Sequence, residues 1–350
     1  MKDMKSVSKI RLLVFTVSCF TVNKRAQICR RRPMRALRRP IAVGMAAACT
    51  MSVSAHTIGG SGDRLSSSRI LFFGDLDGTL LGGAPGLATF CEHWLTIERP
   101  SGSMLAYNTG RCYTQYCQGM NSGLPGMHLG GALRGVLPTP DVLITGDGTE
   151  VRWLVDRASA DMSIDTEWRA RIREHWWSSG LRAAVIARMA ADDQGIIPDL
   201  NSPANTDLPG GEARHAITLA DAAQARRLCA DLQREFSRSG VTFYTLDGWG
   251  QSKPTLIVAI PSIAGKANAA HYVRAKLGFE SSECVAAGDS SNDASMLEAG
   301  MPFIVVANAS EDLLEQAAAK PSAQHHYRAS GSHASGCVEG LLHFRAVRVR

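Results

Sequence analysis

The stretch FFGDLDGTLLG, residues 72–82, sets two carboxylates two residues apart, directly after an apolar run and directly before a Gly-Thr turn. The apolar run RILFFG, residues 69–74, is typical of a buried strand in a parallel sheet, because such strands are apolar on both faces. Asp75 and Asp77 are therefore predicted to lie at the carboxyl end of a strand.

The chain beyond this strand repeats an alternation of strand-like and helix-like segments. Four further apolar segments, each closed by small or polar residues, are SMLAYNTG (103–110), DVLITGDG (141–148), CVAAGDS (284–290) and FIVVANAS (303–310). Apolar residues at helical spacing lie between them, as in Gly265–Leu277. This alternation predicts an α/β fold with a doubly wound, mostly parallel sheet, in which polar residues at the carboxyl ends of the strands converge.

Residues 153–253 interrupt the alternation. They read as two helices, a strand, a long helix over Asp221–Ser239 and two strands, which predicts an α+β cap inserted into a core of residues 69–152 and 254–350. A polar, Pro- and Gly-rich stretch, residues 193–213, is predicted to be a surface excursion of this cap. A helical stripe of Trp168, Ile172 and Trp176 favours cap core over a sugar-stacking surface.

The charge of the chain is divided unevenly. The 350 residues carry 38 Lys and Arg against 32 Asp and Glu, a formal net charge of +6. Residues 1–68 hold 13 of the basic residues and only two of the acidic ones, which leaves 25 basic and 30 acidic residues, a net charge of −5, for the rest. This balance predicts no nucleic-acid partner for the folded part.

Residues 1–68 are predicted to be a targeting or disordered segment outside the fold. They include RRRPMRALRRP (30–40), which has the composition of an organelle transit peptide, and the run Leu12–Val22, which matches the apolar part of a signal peptide and is too short to span a bilayer. Together they predict import into a plastid. The alternative is a misassigned start codon and a cytoplasmic protein. Nothing later in the chain predicts a membrane span.

The nine cysteines lack CxxC spacing, so they predict neither a disulfide framework nor a zinc site. Cys112 and Cys117 are five residues apart and match no common ligand pattern. Buried or unreactive thiols in a reducing compartment are expected.

Two acids at the end of one strand suit phosphoryl transfer. One carboxylate can attack phosphorus to form an aspartyl-phosphate, and a second can protonate the leaving oxygen and then deprotonate water. The anionic phosphoryl group would repel both acids unless cations neutralise the site, and Mg²⁺ prefers oxygen ligands of this kind. Lys266 and Asp289 are the candidates for the neutralising lysine and a further Mg²⁺ ligand.

Four motifs resemble those of the haloacid dehalogenase superfamily of phosphatases, in the same order: DLDGT (75–79), NTGR (108–111), AGK (264–266) and GDSSND (288–293). The insert between the second and third motifs looks like the type IIB cap of that superfamily. Within this group the sequence is similar to the sucrose-phosphate phosphatase family over residues 70–344. The stretches VVANASEDLLEQ (305–316) and ASGCVEGLLHF (334–344) matter most, because they lie outside the general catalytic motifs.

The resemblance implies catalytic and metal-binding roles for five residues. Asp75 would be the nucleophile and a Mg²⁺ ligand, and Asp77 would be the acid/base and a ligand through its backbone carbonyl. Asp289 would be the third protein ligand, and Asp293 would support the metal through water. Lys266 would complete the catalytic set.

The resemblance also implies a phosphate-binding set. Thr109, Gly110, Lys266 and Asn292 would hold the phosphoryl oxygens, with Arg111 nearby, while the cap would close over the sugar.

Two positions depart from the family pattern. Ser291 stands where the family usually has Gly, and Val258 stands where it usually has Asp in the strand before the lysine, so part of the cap junction or sugar pocket is expected to differ. Candidate sugar contacts in the cap, each of which could equally be hairpin surface, are Tyr244, Asp247, Trp249, Gln251 and Lys253.

The resemblance implies a Mg²⁺-dependent phosphatase for a small-molecule sugar phosphate, above all sucrose 6-phosphate, with a sucrose-phosphate synthase as a candidate protein partner. Two alternatives stay open. One is another sugar-phosphate phosphatase of the same cap type, acting on trehalose phosphate or a glycerate-sugar phosphate. The other is a non-catalytic sensing or scaffold domain, against which the intact Asp75, Asp77, Lys266 and Asp289 count.

Overall fold

The computed structural model describes residues 69–123, 133, 135–177, 180–191, 196–197, 213–247, 254–320 and 325–348. The predicted targeting segment, residues 1–68, lies outside the described residues, as does most of the predicted surface excursion, residues 193–213. All described residues belong to one compact unit.

The elements of the described part are, in chain order, β1 (Leu71–Gly74), α1 (Ala84–His93), β2 (Met104–Asn108), α2 (Tyr113–Ser122), β3 (Val142–Thr145), β4 (Glu150–Asp156), β5 (Asp161–Ile164), α3 (Thr166–Trp177), α4 (Leu181–Ala190), β6 (Ile196–Ile197), β7 (His215–Leu219), α5 (Ala222–Glu235), β8 (Val241–Asp247), β9 (Thr255–Pro261), α6 (Lys266–Leu277), β10 (Cys284–Gly288), α7 (Ala294–Glu298), β11 (Phe303–Val305), α8 (Glu311–Ala318), β12 (His326–Arg328) and α9 (His333–Arg348). None of these helices combines the length and the hydropathy of a membrane-spanning segment.

Eight strands form one large sheet in the order β12-β11-β10-β1-β2-β3-β4-β5. The six strands from β12 to β3 run parallel, and β4 and β5 extend the sheet as antiparallel strands. The mostly parallel sheet with its helices confirms the predicted α/β fold. Since β1 lies between β10 and β2, the acidic loop that follows it lies at the middle of the carboxyl edge.

Successive side chains of β1 pack on opposite faces of the large sheet, as the continuous apolar run predicts. Phe72 packs with Phe90 of α1 and with Trp94, at ring-centroid distances of 5.9 and 6.0 Å. Phe73 belongs to the hydrophobic cluster of the other face, together with Ala270 of α6. Helices therefore cover both faces, which is the doubly wound arrangement.

The inserted cap has its own four-stranded antiparallel sheet in the order β6-β7-β9-β8, accompanied by α3, α4 and α5. Trp168, Ile172 and Trp176 of α3 are all buried. This confirms that the tryptophan stripe is cap core and not a sugar-stacking surface. Within the predicted surface excursion, Ile196–Ile197 form β6 and pair with β7.

Strand pairing sets limits of the insert that differ from the predicted ones, residues 153 and 253. β4 and β5 run on to Ile164 but pair in the large sheet, whereas β9 pairs with β7 and β8 in the small one. The sequence of β9 is as apolar as that of a core strand, because β9 is central in the small sheet and almost entirely buried. β4 has no apolar run because its second half is partly or fully exposed. By strand pairing, the insert spans Asp165 to Pro261.

Candidate active site

The carboxyl edge of the large sheet brings together residues from three of the predicted motifs. Asp75 directly follows β1, Asp289 directly follows β10, and Lys266 is the first residue of α6. The Lys266 ammonium lies 2.8 Å from Asp75 Oδ1 and 2.7 Å from Asp293 Oδ1. Because its side chain is only 1% exposed, this ammonium is held by protein carboxylates and fixes both of them.

Three acids of this edge offer oxygens to a divalent cation. One carboxylate oxygen from each of Asp75, Asp289 and Asp293 lies within 4.8 Å of the others. Both oxygens of Asp293 already accept hydrogen bonds, Oδ1 from Lys266 and Oδ2 from the backbone N–H of Asp289 and of Ser290, the latter two at 3.1 Å. An all-oxygen set of this kind fits Mg²⁺, which Asp75 and Asp289 would bind directly, while Asp293, already engaged, would support the site indirectly.

The turn after Asp77 leaves room for Asp289 only because residue 78 is glycine. Gly78 has a φ of +84°, and a Cβ at this position would lie 2.2 Å from Asp289 Oδ2. The neighbouring Thr79 hydroxyl donates a hydrogen bond to Asp289 Oδ1 at 2.7 Å. The Gly-Thr pair of the opening motif therefore positions the third acid of the site.

Burial and mutual repulsion act on the pKa values of these acids. Burial raises the pKa of Asp75 well above its usual value, and the charges of Asp293 and Asp289 add to this, while Lys266 opposes it. Burial and the charge of Asp293 raise the pKa of Asp289 to about 7. The pKa of Lys266 is itself raised, because the charges of Asp293 and Asp75 outweigh the effect of burial. The site holds more negative charge than one lysine balances, which favours a bound cation.

The Asp77 side chain forms an ion pair with Arg111. Arg111 donates from Nε to Asp77 Oδ2 at 2.5 Å and from Nη2 to Asp77 Oδ1 at 2.8 Å. Both residues line the same cavity as Asp75 and Asp289. The structure thus brings Arg111 to the predicted phosphate site but engages it with the predicted acid/base.

The remaining predicted phosphate-binding residues meet at the same cavity. Thr109 follows β2, donates its backbone N–H to the Ile144 carbonyl at 3.0 Å, and precedes Gly110. Asn292 donates from Nδ2 to Asp147 Oδ1 at 2.9 Å, and its Oδ1 accepts from the Ser290 hydroxyl at 2.6 Å. These two bonds fix the orientation of the Asn292 amide at the cavity.

Asp147 is a site residue that the sequence reasoning missed. Its buried carboxylate accepts from Asn292 and, at Oδ2, from Arg214 Nε of the cap at 2.7 Å. Burial alone would raise the pKa of Asp147, but the charges of Arg214 and Lys266 outweigh it and hold the pKa below its usual value. A sequence signal existed, because Asp147 closes the predicted strand segment 141–148. Arg214 gave no such signal, since its position depends on how the cap packs.

Residues of the cap and of the catalytic edge line one cavity above the acids. Its volume of about 580 Å³ is within the usual range for small-molecule sites. The cap residues that line it are Arg214, Arg226, Thr245, Leu246, Asp247 and Leu256. Asp247 thus lies where a sugar contact is predicted. A larger depression of about 1,200 Å³, beside α3 and α6, contains none of the predicted catalytic residues.

Of the other predicted sugar contacts, the structure describes only Tyr244. Tyr244 lines a separate cavity of about 250 Å³, together with Asp147 and Lys266. Trp249, Gln251 and Lys253 lie outside the described residues. Val258, the position at which the sequence departs from Asp, is fully buried in β9 opposite Tyr244 and Ala216.

The first family-like stretch, residues 305–316, and His333, the residue before the second, contact the opening motif. Asn308 donates from Nδ2 to the Gly78 carbonyl at 2.8 Å, and His333 donates from Nδ1 to the same carbonyl at 2.8 Å. The Asn308 Oδ1 in turn accepts the His333 backbone N–H at 2.8 Å. These contacts hold the turn between Asp77 and Thr79, although neither residue was among the predicted site residues.

The cysteines of the described residues are free thiols. Burial raises the pKa of Cys91 and of Cys229 to about 11, and that of Cys284 to about 12. Thiols of this kind are unreactive.

Comparison with known proteins agrees with the resemblance that the motifs carry. Residues 68–194 and 214–345 match the family described as sucrose-6F-phosphate phosphohydrolase, a family of phosphoric monoester hydrolases. A probable sucrose-phosphatase 1 of Arabidopsis thaliana is 26% identical over 298 residues, which is 81% of this chain and 62% of that protein. A putative HAD-like hydrolase of Nitrosococcus oceani is 25% identical over 59% of this chain and 56% of that protein. The chain thus spans about three fifths of these two relatives.

Solved structures show the same fold. The sucrose-phosphatase of Synechocystis sp. PCC6803, determined in complex with sucrose and phosphate, has a TM-score of 0.62 and 24% identity, over 79% of this chain and 98% of that one. A protein of Thermoplasma acidophilum has a TM-score of 0.50 and 14% identity over 79% of this chain and 98% of that one. At these identities the likeness supports the fold.

Proposed function

We propose that this chain, which belongs to the sucrose-6F-phosphate phosphohydrolase family, is a Mg²⁺-dependent phosphatase that hydrolyses sucrose 6-phosphate through an aspartyl-phosphate on Asp75. The observation that carries the proposal is the buried Lys266 between Asp75 and Asp293, with Asp289 beside them, beneath a cavity that the cap roofs. The sucrose and phosphate bound by the Synechocystis protein support the choice of substrate.

The reaction takes place in two displacements. The Asp75 carboxylate forms a bond to phosphorus while the bond from phosphorus to the sugar oxygen breaks, and Asp77 gives that oxygen a proton. Water then attacks the phosphorus of the aspartyl-phosphate, Asp77 takes the proton of that water, and the bond to Asp75 breaks to release phosphate. Mg²⁺, held by Asp75, the Asp77 carbonyl and Asp289, would supply electrostatic stabilisation of the phosphoryl charge.

The pairing of Asp77 with Arg111 adds a step to this scheme. Both Asp77 oxygens are engaged by the guanidinium, whereas the reaction needs Asp77 to face the leaving oxygen. We propose that Arg111 turns to the phosphoryl oxygens when substrate enters, because a phosphate accepts the same two-pronged donor as a carboxylate. The entry of substrate then releases Asp77 for proton transfer.

A phosphate-release panel tests the function. The panel contains sucrose 6-phosphate, trehalose 6-phosphate, glucose 6-phosphate and a glycerate-sugar phosphate, with Asp75→Asn as the matched protein that lacks the nucleophile. We expect release from sucrose 6-phosphate by the native protein alone. Release from only another member of the panel would replace the substrate. Binding of sugar phosphates without release from any of them would favour the sensing or scaffold alternative, with a sucrose-phosphate synthase as its partner.

Metal removal tests the cofactor. With Asp75 and Asp289 as hard oxygen ligands, EDTA should reduce phosphate release to background and excess Mg²⁺ should restore it. Ca²⁺ is larger and looser in its geometry, so it should restore little. Full activity in excess chelator would contradict the metal assignment.

The location of the protein is a further part of the proposal. The Arg-rich composition of residues 1–68 supports delivery to a plastid. A fusion of residues 1–68 to a fluorescent protein should therefore enter that organelle. A diffuse cytosolic signal would instead support the misassigned start and a cytoplasmic enzyme.

A further inference from the structure

We propose that Asp147 is a positioning residue that couples the cap, through Arg214, to the phosphate-holding amide of Asn292. This inference rests on the proposed function only for the type of reaction, phosphoryl transfer, and not for the identity of the sugar. One carboxylate joins two side chains from different parts of the fold, with Oδ2 taking Arg214 of the cap and Oδ1 taking Asn292 of the catalytic edge.

The backbone of Asp147 is fixed by two other parts of the predicted phosphate site. Its N–H donates to the Thr109 carbonyl at 3.1 Å, and its carbonyl accepts the N–H of Gly265, the residue before Lys266, at 3.0 Å. A Cβ added to Gly110 would lie 3.0 Å from Asp147 Oδ1, so the carboxylate lies directly beside this glycine. Asp147 thus contacts the segments that carry each predicted phosphate contact.

The conformation of Asp147 is constrained by these contacts. Its φ is +55°, a left-handed value that is rare for residues other than glycine and is tolerated best by Asn and Asp. Such conformations persist where the surroundings hold them, and they are frequent at functional sites. The following Gly148 supplies part of that support, because a Cβ there would lie 2.3 Å from the Gly265 carbonyl oxygen.

Arg214 enters this arrangement from the cap. It immediately precedes β7, its side chain is 10% exposed, and it lines the catalytic cavity beside the acids. A guanidinium carries five N–H donors in a rigid fork, and Nε is the one bound to Asp147. Since Arg214 also lines the catalytic cavity, cap position and phosphate position are set through one carboxylate.

Asp147→Asn is expected to break the link to Asn292 and keep the one to Arg214. An amide has one acceptor oxygen, and the charged guanidinium is the stronger donor for it. We expect Asp147→Asn to lower kcat/KM for sucrose 6-phosphate about 10- to 100-fold, as loss of an outer partner of a site residue commonly does. The inhibition constant for inorganic phosphate should rise about tenfold, because the Asn292 amide is no longer held. A merely structural role would leave that constant unchanged.

The cap half of the link is tested with Arg214→Lys, which keeps the charge but loses the fork. We expect kcat/KM for sucrose 6-phosphate to fall about 10-fold. For p-nitrophenyl phosphate, whose leaving group needs no sugar contacts, the fall should stay below about threefold. The double variant should be no worse than Asp147→Asn alone, because both changes remove one connection. Losses that multiply, or equal losses on both substrates, would overturn the coupling.

An ion pair of the cap surface provides the matched control. Arg188 Nε lies 2.8 Å from Glu235 Oε2, and neither residue lines the catalytic cavity. Arg188→Lys and Glu235→Gln should change neither the kinetic constants nor phosphate inhibition. Effects as large as those at Asp147 would show that any change to the cap disturbs the site, and would overturn the specific role of Asp147.

Phosphate binding keeps the test valid if turnover is absent. If the native protein hydrolyses none of these phosphate esters, the proposed function fails, and the thermal shift produced by inorganic phosphate with Mg²⁺ becomes the readout. The coupling then requires a shift in the native protein that is reduced in Asp147→Asn and intact in Glu235→Gln. An equal shift in all three proteins, or no shift in the native protein, would overturn it.

Discussion

The carboxyl edge of the large sheet and its junction with the cap are built from different kinds of contact. At the edge, Lys266, Asp75 and Asp293 form a buried cluster whose members follow strands or begin a helix. At the junction, Asp147 meets Arg214 and Ser291 meets Thr245, pairs whose members no short sequence motif relates. The edge fixes the chemistry, whereas the junction decides how the substrate is enclosed.

Substitutions in the two regions should affect turnover differently. Changes at the edge should abolish turnover of every phosphate ester, because all of them use the same nucleophile and the same cations. Changes at the junction should act in proportion to the contacts that the leaving group makes with the cap.

Asp75→Asn should lower kcat by at least about 10³-fold, because an amide cannot serve as the covalent nucleophile. The amide has nearly the same shape as the carboxylate, so the fold should be retained. The loss should be the same for sucrose 6-phosphate and for p-nitrophenyl phosphate, measured as phosphate release. An unchanged circular dichroism spectrum would show that the fold is retained. Phosphate release close to the native rate would end the aspartyl-phosphate mechanism and, with it, the edge as the seat of the chemistry.

Asp165 lies where the chain first passes from the large sheet into the cap, between β5 and α3. Its carboxylate accepts from the Trp168 N–H at 2.8 Å, from Trp153 Nε1 at 2.7 Å and from Lys276 Nζ at 2.8 Å. Burial alone would raise the pKa of Asp165, but these hydrogen bonds, that of Lys276 foremost, lower it to about 2. Its contribution to stability is therefore present above the unfolded pKa of about 3.9 and is lost as the pH falls towards about 2.

Asp165→Asn should lower the free energy of unfolding at pH 7 by about 1–3 kcal/mol, the usual range for a hydrogen-bonded charged group. Between about pH 4 and pH 2 the difference from the native protein should shrink, since native Asp165 also loses its charge there. Urea unfolding across this range measures both effects. A difference that persists at pH 2 would assign the loss to packing. A large drop in kcat would show that Asp165 also affects the catalytic edge.

The same division explains how much the sequence could predict. The meeting of Asp75, Asp289 and Lys266 was predictable because each follows an apolar strand or begins a helix, and parallel strands place such ends at one edge. The limits of the insert were not, because β9 is as apolar as a core strand while pairing in the small sheet. A strand buried in the centre of either sheet has the same continuous apolar sequence, so the sequence does not show which sheet it joins.

The junction was less predictable still. The pair of Asp147 and Arg214 joins residues that are 67 positions apart, and no local spacing encodes such a contact. The departure at Val258 predicts a difference at the cap junction or sugar pocket, and this stays a prediction. The structure shows the buried carboxylate of the junction at Asp147, on the core side, while Val258 is buried in the cap sheet.

Substrate choice is the next smaller effect. A site that hydrogen-bonds a particular array of hydroxyls rejects analogues that leave its polar groups unpaired. We expect kcat/KM for sucrose 6-phosphate to exceed that for trehalose 6-phosphate and glucose 6-phosphate by at least about tenfold, or roughly 1.4 kcal/mol of transition-state binding. Comparable values for all three would leave a general sugar-phosphate phosphatase. A preference for trehalose 6-phosphate would show that the cap selects trehalose and not sucrose.

The smallest expected effect concerns Ser291, the second position that departs from the family pattern. Its hydroxyl donates to the carbonyl of Thr245 in β8 at 3.2 Å, a contact between catalytic edge and cap that glycine cannot make. A neutral, partly buried hydrogen bond contributes about 0.5–1.5 kcal/mol, so Ser291→Gly should lower kcat/KM for sucrose 6-phosphate about two- to tenfold while sparing p-nitrophenyl phosphate. Ser291→Ala keeps the Cβ and lacks only the hydroxyl, so it should show the same loss. If alanine behaves like the native protein and only glycine is impaired, backbone freedom and not the hydrogen bond is responsible, and Ser291 does not belong to the junction that encloses the substrate.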